Sequence, residues 1–464
     1  MSKAYDLLIK GADIVTPGGV LRADIRVKDG IIDAIGKNLS KIDEPVIDAG
    51  GLFVLPGIID CHTHFSLETG KMSTKDDFES GSLSAAAGGV TTYINFAPQK
   101  KGQNLLEALN AEKQKAEGHT VVDFSLHLSF GTPPDDWITQ LDYVVANGVT
   151  SMKVYTTYKD TIYYTTDWDW LNLLRVSGSK GVLVQVHAEN DDIISGKTAE
   201  LLSKELKAFR YHGVSRPKEA EIEAVARAVT FAHLTGSPVY LVHLSCPESI
   251  ELAYAAKKEG LCVYAEVCPH HISLDASEYQ GPTPERFVMT PPLRDASDVK
   301  KLHKLIQEGK VDSIGSDHCG YTLEQRGDGM DFTQASPGIP GVETLLNVVY
   351  TVLTKECGLS LEEAISYITW RPARIYGLDH RKGNIQVGLD GDFVLFDPGY
   401  SYILDEKTLH SAAQYSPWHG KKLYGRVVKT ICRGHVVYDE GKFNIEFSHG
   451  EFIKRRAHQI RMQK

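Results

Sequence analysis

The sequence lacks long apolar runs, an excess of positive charge and a regular spacing of cysteines. No run of about 18 apolar residues occurs, and the first residues, MSKAYDLLIKGAD, lack the apolar core of a signal peptide. The 50 lysines and arginines are outnumbered by 60 aspartates and glutamates, which argues against broad binding of nucleic acid or of an anionic membrane. Seven cysteines, an odd number, are typical of reduced thiols. We therefore expect a globular cytoplasmic protein with neither nucleic acid nor a membrane as a partner.

Glycine-rich phosphate-binding motifs are also absent, since neither G-x-G-x-x-G nor a P-loop occurs. Their absence disfavours an open doubly wound sheet, which is the main structural alternative here. Between about residues 52 and 375 we find eight candidate strands: VLPGIIDCHTH, TTYINFA, DFSLHLSF, SMKVYTT, VLVQVHA, VYLVHLS, CVYAEVC and SIGSDHC. Helical stretches between them include NLLEALNAEKQKAEG, EAEIEAVARAVTFAHLTG and SIELAYAAKKEG. Such alternation implies parallel strands, and eight βα units predict an α/β fold of the TIM (β/α)8 barrel type.

Both ends of the chain are rich in short strands instead. YDLLIKGADIVT precedes ADIRVKDGIIDAIG, in which Asp29-Gly30 is a hairpin signal, and GDFVLFDPG precedes GRVVKTICRGHVVYDEGKF near the other end. We expect the two ends to meet as one small β-sandwich domain. The predicted division assigns 1–51 and 379–464 to this domain and 52–378 to the catalytic barrel.

Polar residues of unusual type interrupt or follow the apolar strands. At the C-terminal ends of TIM-barrel strands such residues meet at one rim, where catalytic groups lie. Taken singly, each is explained by a hydrogen bond, a salt bridge or a helix cap, but their coincidence at one rim indicates a functional site. The six residues are His62, His64, Lys153, His187, His243 and Asp317.

This combination suits a pair of metal ions. Neutral imidazoles bind zinc well, but four histidines and one aspartate leave two adjacent metals without a bridging anion. Lys153 lies in an apolar strand, which lowers its pKa so that the free amine can react. Carboxylated by carbon dioxide, it would offer one oxygen to each metal. The metals polarise a carbonyl and activate water, and Asp317 can carry the proton to a leaving nitrogen. Manganese and cobalt tolerate the same ligands.

LPGIIDCHTHF, the SMKVYTTY lysine, VHAEN, VYLVHLS, MTPPLRD and GSDHC together resemble the cyclic amidohydrolases, which include hydantoinases, dihydropyrimidinases, allantoinases and dihydroorotases. The resemblance covers nearly the whole chain, including GNIQVGLDGDFVLFD, which is similar to the return to the small β-domain. It implies a TIM barrel, two zinc ions, a carboxylated bridging lysine and, as the commonest assembly of the hydantoinase branch, a homotetramer. By motif it assigns His62, His64 and Asp317 to the more buried zinc, His187 and His243 to the other, and Lys153 to both.

Local features favour the hydantoinase–dihydropyrimidinase branch. Dihydroorotases usually carry an arginine where this chain has Ser66, so the clamp for a charged substrate is missing. Tyr158 follows Lys153 as in the hydantoinase branch, where its hydroxyl supports the oxyanion; packing within a loop is the alternative explanation. Thr290 and Pro337 match the two positions whose backbone binds the substrate imide there, and Pro337 keeps a carbonyl acceptor but has no N–H.

The resemblance also assigns apolar pocket walls, which suit a 5-substituted hydantoin or a dihydropyrimidine: Phe65, Leu67, Tyr155 and Ile162. Two departures favour allantoinase instead, namely Pro337 for the usual asparagine and His270 where hydantoinases more often have glutamine. A non-catalytic scaffold, as in neuronal relatives, is disfavoured because all six ligand positions are retained. The predicted function is therefore opening of a small cyclic imide or ureide, a hydantoin or dihydropyrimidine, to an N-carbamoyl amino acid.

Two further features are interpreted as structural. The basic C-terminal residues KRRAHQIRMQK (454–464) predict a solvated helix or a subunit contact. Three cysteines near the predicted rim match no ligand position, and we interpret them as small packing residues: Cys61, Cys246 and Cys319.

Overall fold

The computed structural model describes residues 6–69, 72–326, 330–444 and 449–458. Its strands are β1 (Leu7–Thr16), β2 (Gly19–Lys28), β3 (Ile31–Gly36), β4 (Val46–Asp48), β5 (Phe53–Pro56), β6 (Ile58–Thr63), β7 (Val90–Ala97), β8 (Asp123–Ser129), β9 (Ser151–Tyr155), β10 (Leu183–His187), β11 (Val239–Leu241), β12 (Val263–Val267), β13 (Ser313–Ile314), β14 (Phe393–Ile403), β15 (Lys422–Cys432), β16 (His435–Asp439) and β17 (Lys442–Phe443).

The α-helices of these ranges are α1 (Phe78–Ala87), α2 (Leu105–Ala116), α3 (Trp137–Ala146), α4 (Asp167–Lys180), α5 (Asp191–Ser203), α6 (His212–Ser215), α7 (Lys218–Thr235), α8 (Pro247–Lys258), α9 (Pro269–Ser273), α10 (Ala296–Gln307), α11 (Leu345–Tyr350), α12 (Leu361–Ser366) and α13 (Trp370–Ile375). No helix in the described part of the chain is long and apolar enough to cross a membrane.

Strands β6 to β13 form a sheet of eight parallel strands in chain order. Every residue of β7 to β10 is buried, as expected for strands covered on both faces. The sheet nearly closes where Thr63 pairs with His318, which follows β13. The predicted TIM barrel is confirmed, and α2, α7 and α8 are the three helical stretches recognised in the sequence.

Strands from both ends of the chain form a second, nine-stranded sheet in which β5 and β14 are antiparallel neighbours. β2 and β3 are joined by Asp29 and Gly30, whose φ angles of 53° and 75° give the predicted two-residue turn. Apolar side chains of both halves share one core that includes Ile14 and Ile431. The small β-domain built from both ends is therefore confirmed.

The first predicted barrel strand is two strands. VLPGIIDCHTH divides at Gly57, so that β5 belongs to the terminal sheet and β6 to the barrel. Gly57 N donates to Asp392 O over 3.0 Å, and a Cβ at Gly57 would lie 2.1 Å from Thr91 Oγ1. A side chain would not fit where the two sheets meet. The domain boundaries at 51/52 and 378/379 stay predictions.

Residues 449–458, the C-terminal strap, run extended across the N-terminal ends of three barrel strands. Ile453 N donates to Phe124 O over 2.7 Å, Arg455 N to Gly148 O over 2.9 Å, and His458 N to Gly181 O over 2.8 Å. The prediction of a solvated helix is therefore wrong for the described part of the tail, because the barrel binds this backbone and buries Arg455. Residues 459–464 of the predicted tail lie outside the described residues.

Candidate metal centre

The barrel brings all six candidate ligands to the C-terminal ends of its strands, the end at which TIM-barrel active sites lie. Two residues lie within strands, one ends a strand, and three follow strands in the loops of the rim. His62 lies within β6 and Lys153 within β9, and His187 is the last residue of β10. His64 follows β6, His243 follows β11 and Asp317 follows β13.

Three of these side chains converge on one point. Asp317 Oδ1 lies 3.1 Å from His62 Nε2 and 3.2 Å from His64 Nε2. One ligand atom from each residue lies within 4.8 Å of the other two. His62 Nε2 is buried and has no hydrogen-bond partner among the described residues, so a cation placed between it and Asp317 would satisfy it. Two imidazoles and a carboxylate in this arrangement fit one divalent metal ion.

A second group lies beside the first. The rings of His187 and His243 are 4.5 Å apart, and those of His62 and His243 are 5.4 Å apart, between centroids. His243 Nδ1 is buried without a hydrogen-bond partner. Lys153 Nζ lies 4.6 Å from the centre of the Phe96 ring. The histidine sets of the two predicted metals are therefore adjacent, as a pair of metals requires.

Two buried glutamates that the sequence analysis missed orient these histidines. Glu266 Oε1 lies 2.7 Å from His62 Nδ1 and accepts from His243 N over 3.0 Å. Glu189 Oε2 lies 2.7 Å from His187 Nε2 and accepts from Arg216 Nη1 over 2.8 Å. A carboxylate behind an imidazole fixes the ring and its tautomer. The sequence does contain a signal for these two residues. Glu266 is an acidic residue within the apolar strand VYAEV, and Glu189 directly follows VHA.

The electrostatics of the site favour a bound cation. Burial lowers the pKa of His64 to about 4 and also lowers the pKa values of His187 and His243, so these imidazoles are neutral at pH 7, the form in which histidine binds a metal. Burial likewise lowers the pKa of Lys153 to about 8. Against the effect of burial, Glu266 and Asp317 raise the pKa of His62 to about 9. The buried carboxylates thus stabilise a positive charge at this position. A bound metal ion would supply such a charge.

A cavity of about 280 Å³ opens onto this rim. His62 is fully buried and is not among the residues that line the cavity. The other five candidate ligands line the cavity, together with five of the predicted substrate-binding residues. Those lining residues are His64, Lys153, His187, His243, Asp317, Leu67, Tyr155, Tyr158, Thr290 and Pro337.

Tyr158 projects into the cavity from a constrained loop. Its φ is 71°, and Asp191 Oδ1 accepts from Tyr158 N over 2.6 Å and from Thr157 Oγ1 over 3.0 Å. Tyr158 Oη lies 2.6 Å from Thr290 Oγ1. Burial raises the pKa of Tyr158 to about 12, so the phenol keeps its proton and can donate a hydrogen bond.

Two predicted pocket walls lie elsewhere. Phe65 packs in the core with its ring 4.9 Å from that of Tyr93, because the glycine at position 81 leaves room for it; a Cβ there would lie 2.6 Å from the ring. Ile162 is 37% exposed and is not part of the lining. Residues that the sequence analysis did not assign to the pocket line it instead: Thr69, Tyr163, Cys319, Tyr321 and Ser336.

The cysteines and the histidine singled out in the sequence lie partly in the core and partly in the cavity wall. Cys61 and Cys246 are fully buried, as expected of packing residues, whereas Cys319 is buried and lines the cavity. His270 is buried beside His271, at 4.2 Å between ring centres, and does not line the cavity. Its difference from the usual glutamine therefore carries no direct information on the substrate.

Known proteins match this chain over nearly its whole length. The profile of the amidohydrolase family matches residues 53–437. A D-hydantoinase of Geobacillus stearothermophilus is 37% identical over 454 residues, which cover 97% of this chain and 96% of that protein. A D-hydantoinase of Ralstonia pickettii is 35% identical over 457 residues, with 98% and 99% covered. The crystal structure of a dihydropyrimidinase from Brevibacillus agri NCHU1002 superposes with a TM-score of 0.94 at 32% identity, with 97% and 98% covered.

The chain forms a TIM barrel with a histidine-rich rim, and the family profile matches most of its length. It therefore belongs to the amidohydrolase family. Within that family it lies in the hydantoinase branch and is a cyclic amidohydrolase, an enzyme rather than a non-catalytic scaffold.

Proposed function

We propose that this protein is a dinuclear zinc hydrolase that opens hydantoins or dihydropyrimidines to N-carbamoyl amino acids. The observation that carries the proposal is the convergence of four histidines, a lysine and an aspartate at one rim of the barrel. Three of the histidines, the lysine and the aspartate line a cavity that also contains Tyr158. Relatives named D-hydantoinase and dihydropyrimidinase support the substrate class. We also propose that the protein is a homotetramer in the cytoplasm, as expected from the sequence.

His62, His64 and Asp317 would hold one zinc ion, and His187 and His243 the other, with Lys153 bridging both. Lys153 Nζ would attack carbon dioxide, forming an N–C bond and releasing one proton, so that the carbamate carries two oxygen ligands. The buried carboxylates behind the histidines support this ligand set. When bound, the metals supply Lewis acidity to the ring carbonyl and lower the pKa of water.

The side chains of the cavity account for the rest of the reaction. Tyr158 Oη would donate to the oxyanion that develops on the attacked carbonyl, and Thr290 holds that hydroxyl in place. Asp317 would take a proton from the attacking water and deliver it to the departing ring nitrogen. The ring C–N bond breaks, and the product keeps an N-carbamoyl group and gains a carboxylate.

Ring-opening rates on three substrates test this proposal, with one enzyme preparation supplemented with zinc and bicarbonate. We expect turnover of 5,6-dihydrouracil and of a 5-substituted hydantoin, and no turnover of allantoin. Turnover of allantoin alone would identify an allantoinase, for which Pro337 in the cavity wall is the remaining sign. Turnover of none of the three would contradict the proposal.

A further inference from the structure

A buried arginine, Arg326, lies behind the cavity wall and has no assigned role. It is 2% exposed. All its hydrogen bonds within the described residues go to uncharged oxygens rather than to carboxylates. Burying a guanidinium without a carboxylate is costly unless its donors are satisfied. Nε has no hydrogen-bond partner among the described residues, whereas Nη1 and Nη2 together make five hydrogen bonds. We therefore attribute the placement of this arginine to the contacts of its two terminal nitrogens.

The guanidinium joins two separate segments of the cavity wall. Nη2 donates to Val288 O over 3.2 Å, to Ser336 O over 3.3 Å, and to Gly338 O. Nη1 donates to Glu285 O over 2.7 Å and to Tyr415 Oη over 3.0 Å. The two segments also bind each other directly, since Gly338 N donates to Val288 O over 2.9 Å.

Each segment carries one of the predicted substrate contacts. Val288 lies two residues before Thr290, and Ser336 and Gly338 flank Pro337; both Thr290 and Pro337 line the cavity. Arg326 engages the carbonyls on either side of Pro337, and the Pro337 carbonyl has, among the described residues, only a weak thiol donor, Cys319 Sγ at 3.9 Å. That oxygen is the acceptor which the loop can offer to an N–H of the substrate ring.

We propose that Arg326 is a positioning residue that sets the distance between Thr290 and Pro337 and thereby the affinity for the cyclic substrate. This inference rests on the proposed function. Lysine cannot replace it, because an ammonium has three donors at one point, whereas the planar guanidinium holds Nη1 and Nη2 apart and these two nitrogens together reach both segments. Losing the tether loosens binding in the ground state and the transition state alike, which raises KM more than it lowers kcat.

The test is Arg326→Lys, with Arg326→Gln as the second variant and Arg455→Lys as the matched control. Arg455 is also buried and donates to Ser125 Oγ over 3.0 Å and to Leu126 O, but it lies at the opposite end of the barrel. For dihydrouracil and a 5-substituted hydantoin we expect KM to rise about tenfold in the Arg326 variants, a loss of about 1.4 kcal/mol in binding. Changes in kcat should stay within about threefold, and the Arg455 control should keep the wild-type KM.

Hydrogen exchange at the Gly338 amide supplies a readout that does not depend on turnover. We expect faster exchange in both Arg326 variants and an unchanged rate in Arg455→Lys, at wild-type metal content. Unchanged KM and exchange in the Arg326 variants, or equal changes in the control, would overturn the inference. If the wild-type enzyme opens none of the substrates, the proposed function fails, and the exchange rates still decide whether Arg326 tethers the wall.

Discussion

Several non-glycine residues at the rim of the cavity have a left-handed backbone. The φ angles are 54° for Ser66, 71° for Tyr158, 40° for His243 and 51° for Asp317. Such conformations cost on the order of 1–3 kcal/mol each and persist where the surrounding structure imposes them. All four residues follow the ends of different strands, and Tyr158, His243 and Asp317 line the cavity. Strain at this rim thus includes three residues of the predicted site.

Replacing Tyr158 by phenylalanine tests the role of its hydroxyl. We expect kcat to fall by about 10²–10³-fold, as when one oxyanion donor is removed, while the loop keeps its shape through Asp191. Tyr163→Phe is the matched control, because the Tyr163 hydroxyl lines the same cavity but donates to Glu68 O over 3.1 Å. Steady-state kinetics of both variants provide the check. A fall of less than about threefold in Tyr158→Phe would assign this tyrosine to loop packing.

Replacing Lys153 by alanine tests the bridging ligand. We expect the metal content to fall below two ions per subunit and turnover to be lost, because the remaining histidines and Asp317 offer no anion to join two metals. Elemental analysis and the ring-opening assay measure the two effects. Partial recovery in the presence of a short carboxylic acid would support a missing carboxylate. Retention of two metals and of wild-type turnover would show that the lysine is not a ligand.

The candidate ligands were predictable because each is a polar residue in or after an apolar strand, a contrast visible in one sequence. Leu67 and Tyr155 were placed correctly in the cavity by motif alone. The positions of Phe65 and Ile162 were not predictable in this way, because which face of a loop turns inward depends on partners such as Gly81, distant in sequence. Arg326 gave no signal, since four of its hydrogen bonds go to backbone carbonyls and the fifth to the hydroxyl of Tyr415, 89 residues away, and no local side-chain pattern reveals such partners.

At the level of elements, Asp76 joins three parts of the molecule beside the rim. It accepts from Ser411 Oγ over 2.5 Å and from Ala412 N over 2.8 Å, and lies 3.0 Å from His318 Nε2. Gly341 N and Val342 N both donate to His318 Nδ1, at 3.1 and 3.2 Å. His318 therefore carries its proton on Nε2 and donates to Asp76. These hydrogen bonds connect the loop before α1 to the end of the barrel and to the segment before β15.

Asp76→Asn should change how stability depends on pH. Burial alone would raise the Asp76 pKa, but the hydrogen bonds from His318, Ser411 and Ala412 lower it below the ordinary value. A carboxyl group with a lowered pKa stabilises the fold above its unfolded pKa of about 3.9 and loses this contribution as the pH falls through the folded value. We expect the variant to be about 1–3 kcal/mol less stable at neutral pH, with a difference that shrinks below about pH 4.

Urea unfolding between about pH 6 and about pH 3.5 measures this difference. Asp77→Asn is the control, because Asp77 is the exposed N-cap of α1 and asparagine caps a helix as well as aspartate. A constant difference between wild type and Asp76→Asn at all pH values would contradict the assignment.

Elements with a strong internal pattern were predictable, and those that depend on long-range pairing were not. The helix over EAEIEAVARAVTFAHLTG and the Asp29-Gly30 turn follow from local sequence. By contrast, VLPGIIDCHTH has no break in its apolar character, and it divides only because β14 pairs with β5 from more than 300 residues away. The strap is extended rather than helical for the same reason, since its backbone partners lie in the barrel.

At the level of the whole molecule, a buried lysine connects the barrel to the terminal sheet. Lys382 Nζ lies 2.5 Å from Asp123 Oδ2 at the start of β8, 2.8 Å from Asp390 Oδ2 and 2.7 Å from Asp392 Oδ2. Asp392 also accepts from Arg433 N over 2.8 Å, between β15 and β16. One ammonium thus balances carboxylates that belong to both parts of the molecule.

Lys382→Met should destabilise the protein by about 3–5 kcal/mol, because it removes the buried cation that the three carboxylates share. Asp123 keeps its ion pair with Arg433 and Asp390 keeps its ion pair with Arg381, so the loss falls mainly on Asp392. Lys197→Met is the control, since the Lys197–Glu200 pair is solvent-exposed and should contribute less than about 1 kcal/mol. Thermal and chemical denaturation of the two variants measure the effect. If Lys382→Met loses as little stability as the control, the lysine–carboxylate network contributes little to the stability of the junction between the barrel and the terminal sheet.

The pairing of β5 with β14 has a consequence for synthesis on the ribosome. Phe393 is added 337 residues after Pro56, which at about 5–20 residues per second is an interval of roughly 15–70 s. During this time the barrel strands emerge while the edge that β14 will cover stays open. The nascent chain must therefore carry an unpaired strand edge until β14 has been synthesised, and this is the period in which chaperone binding would matter most for the yield of folded enzyme.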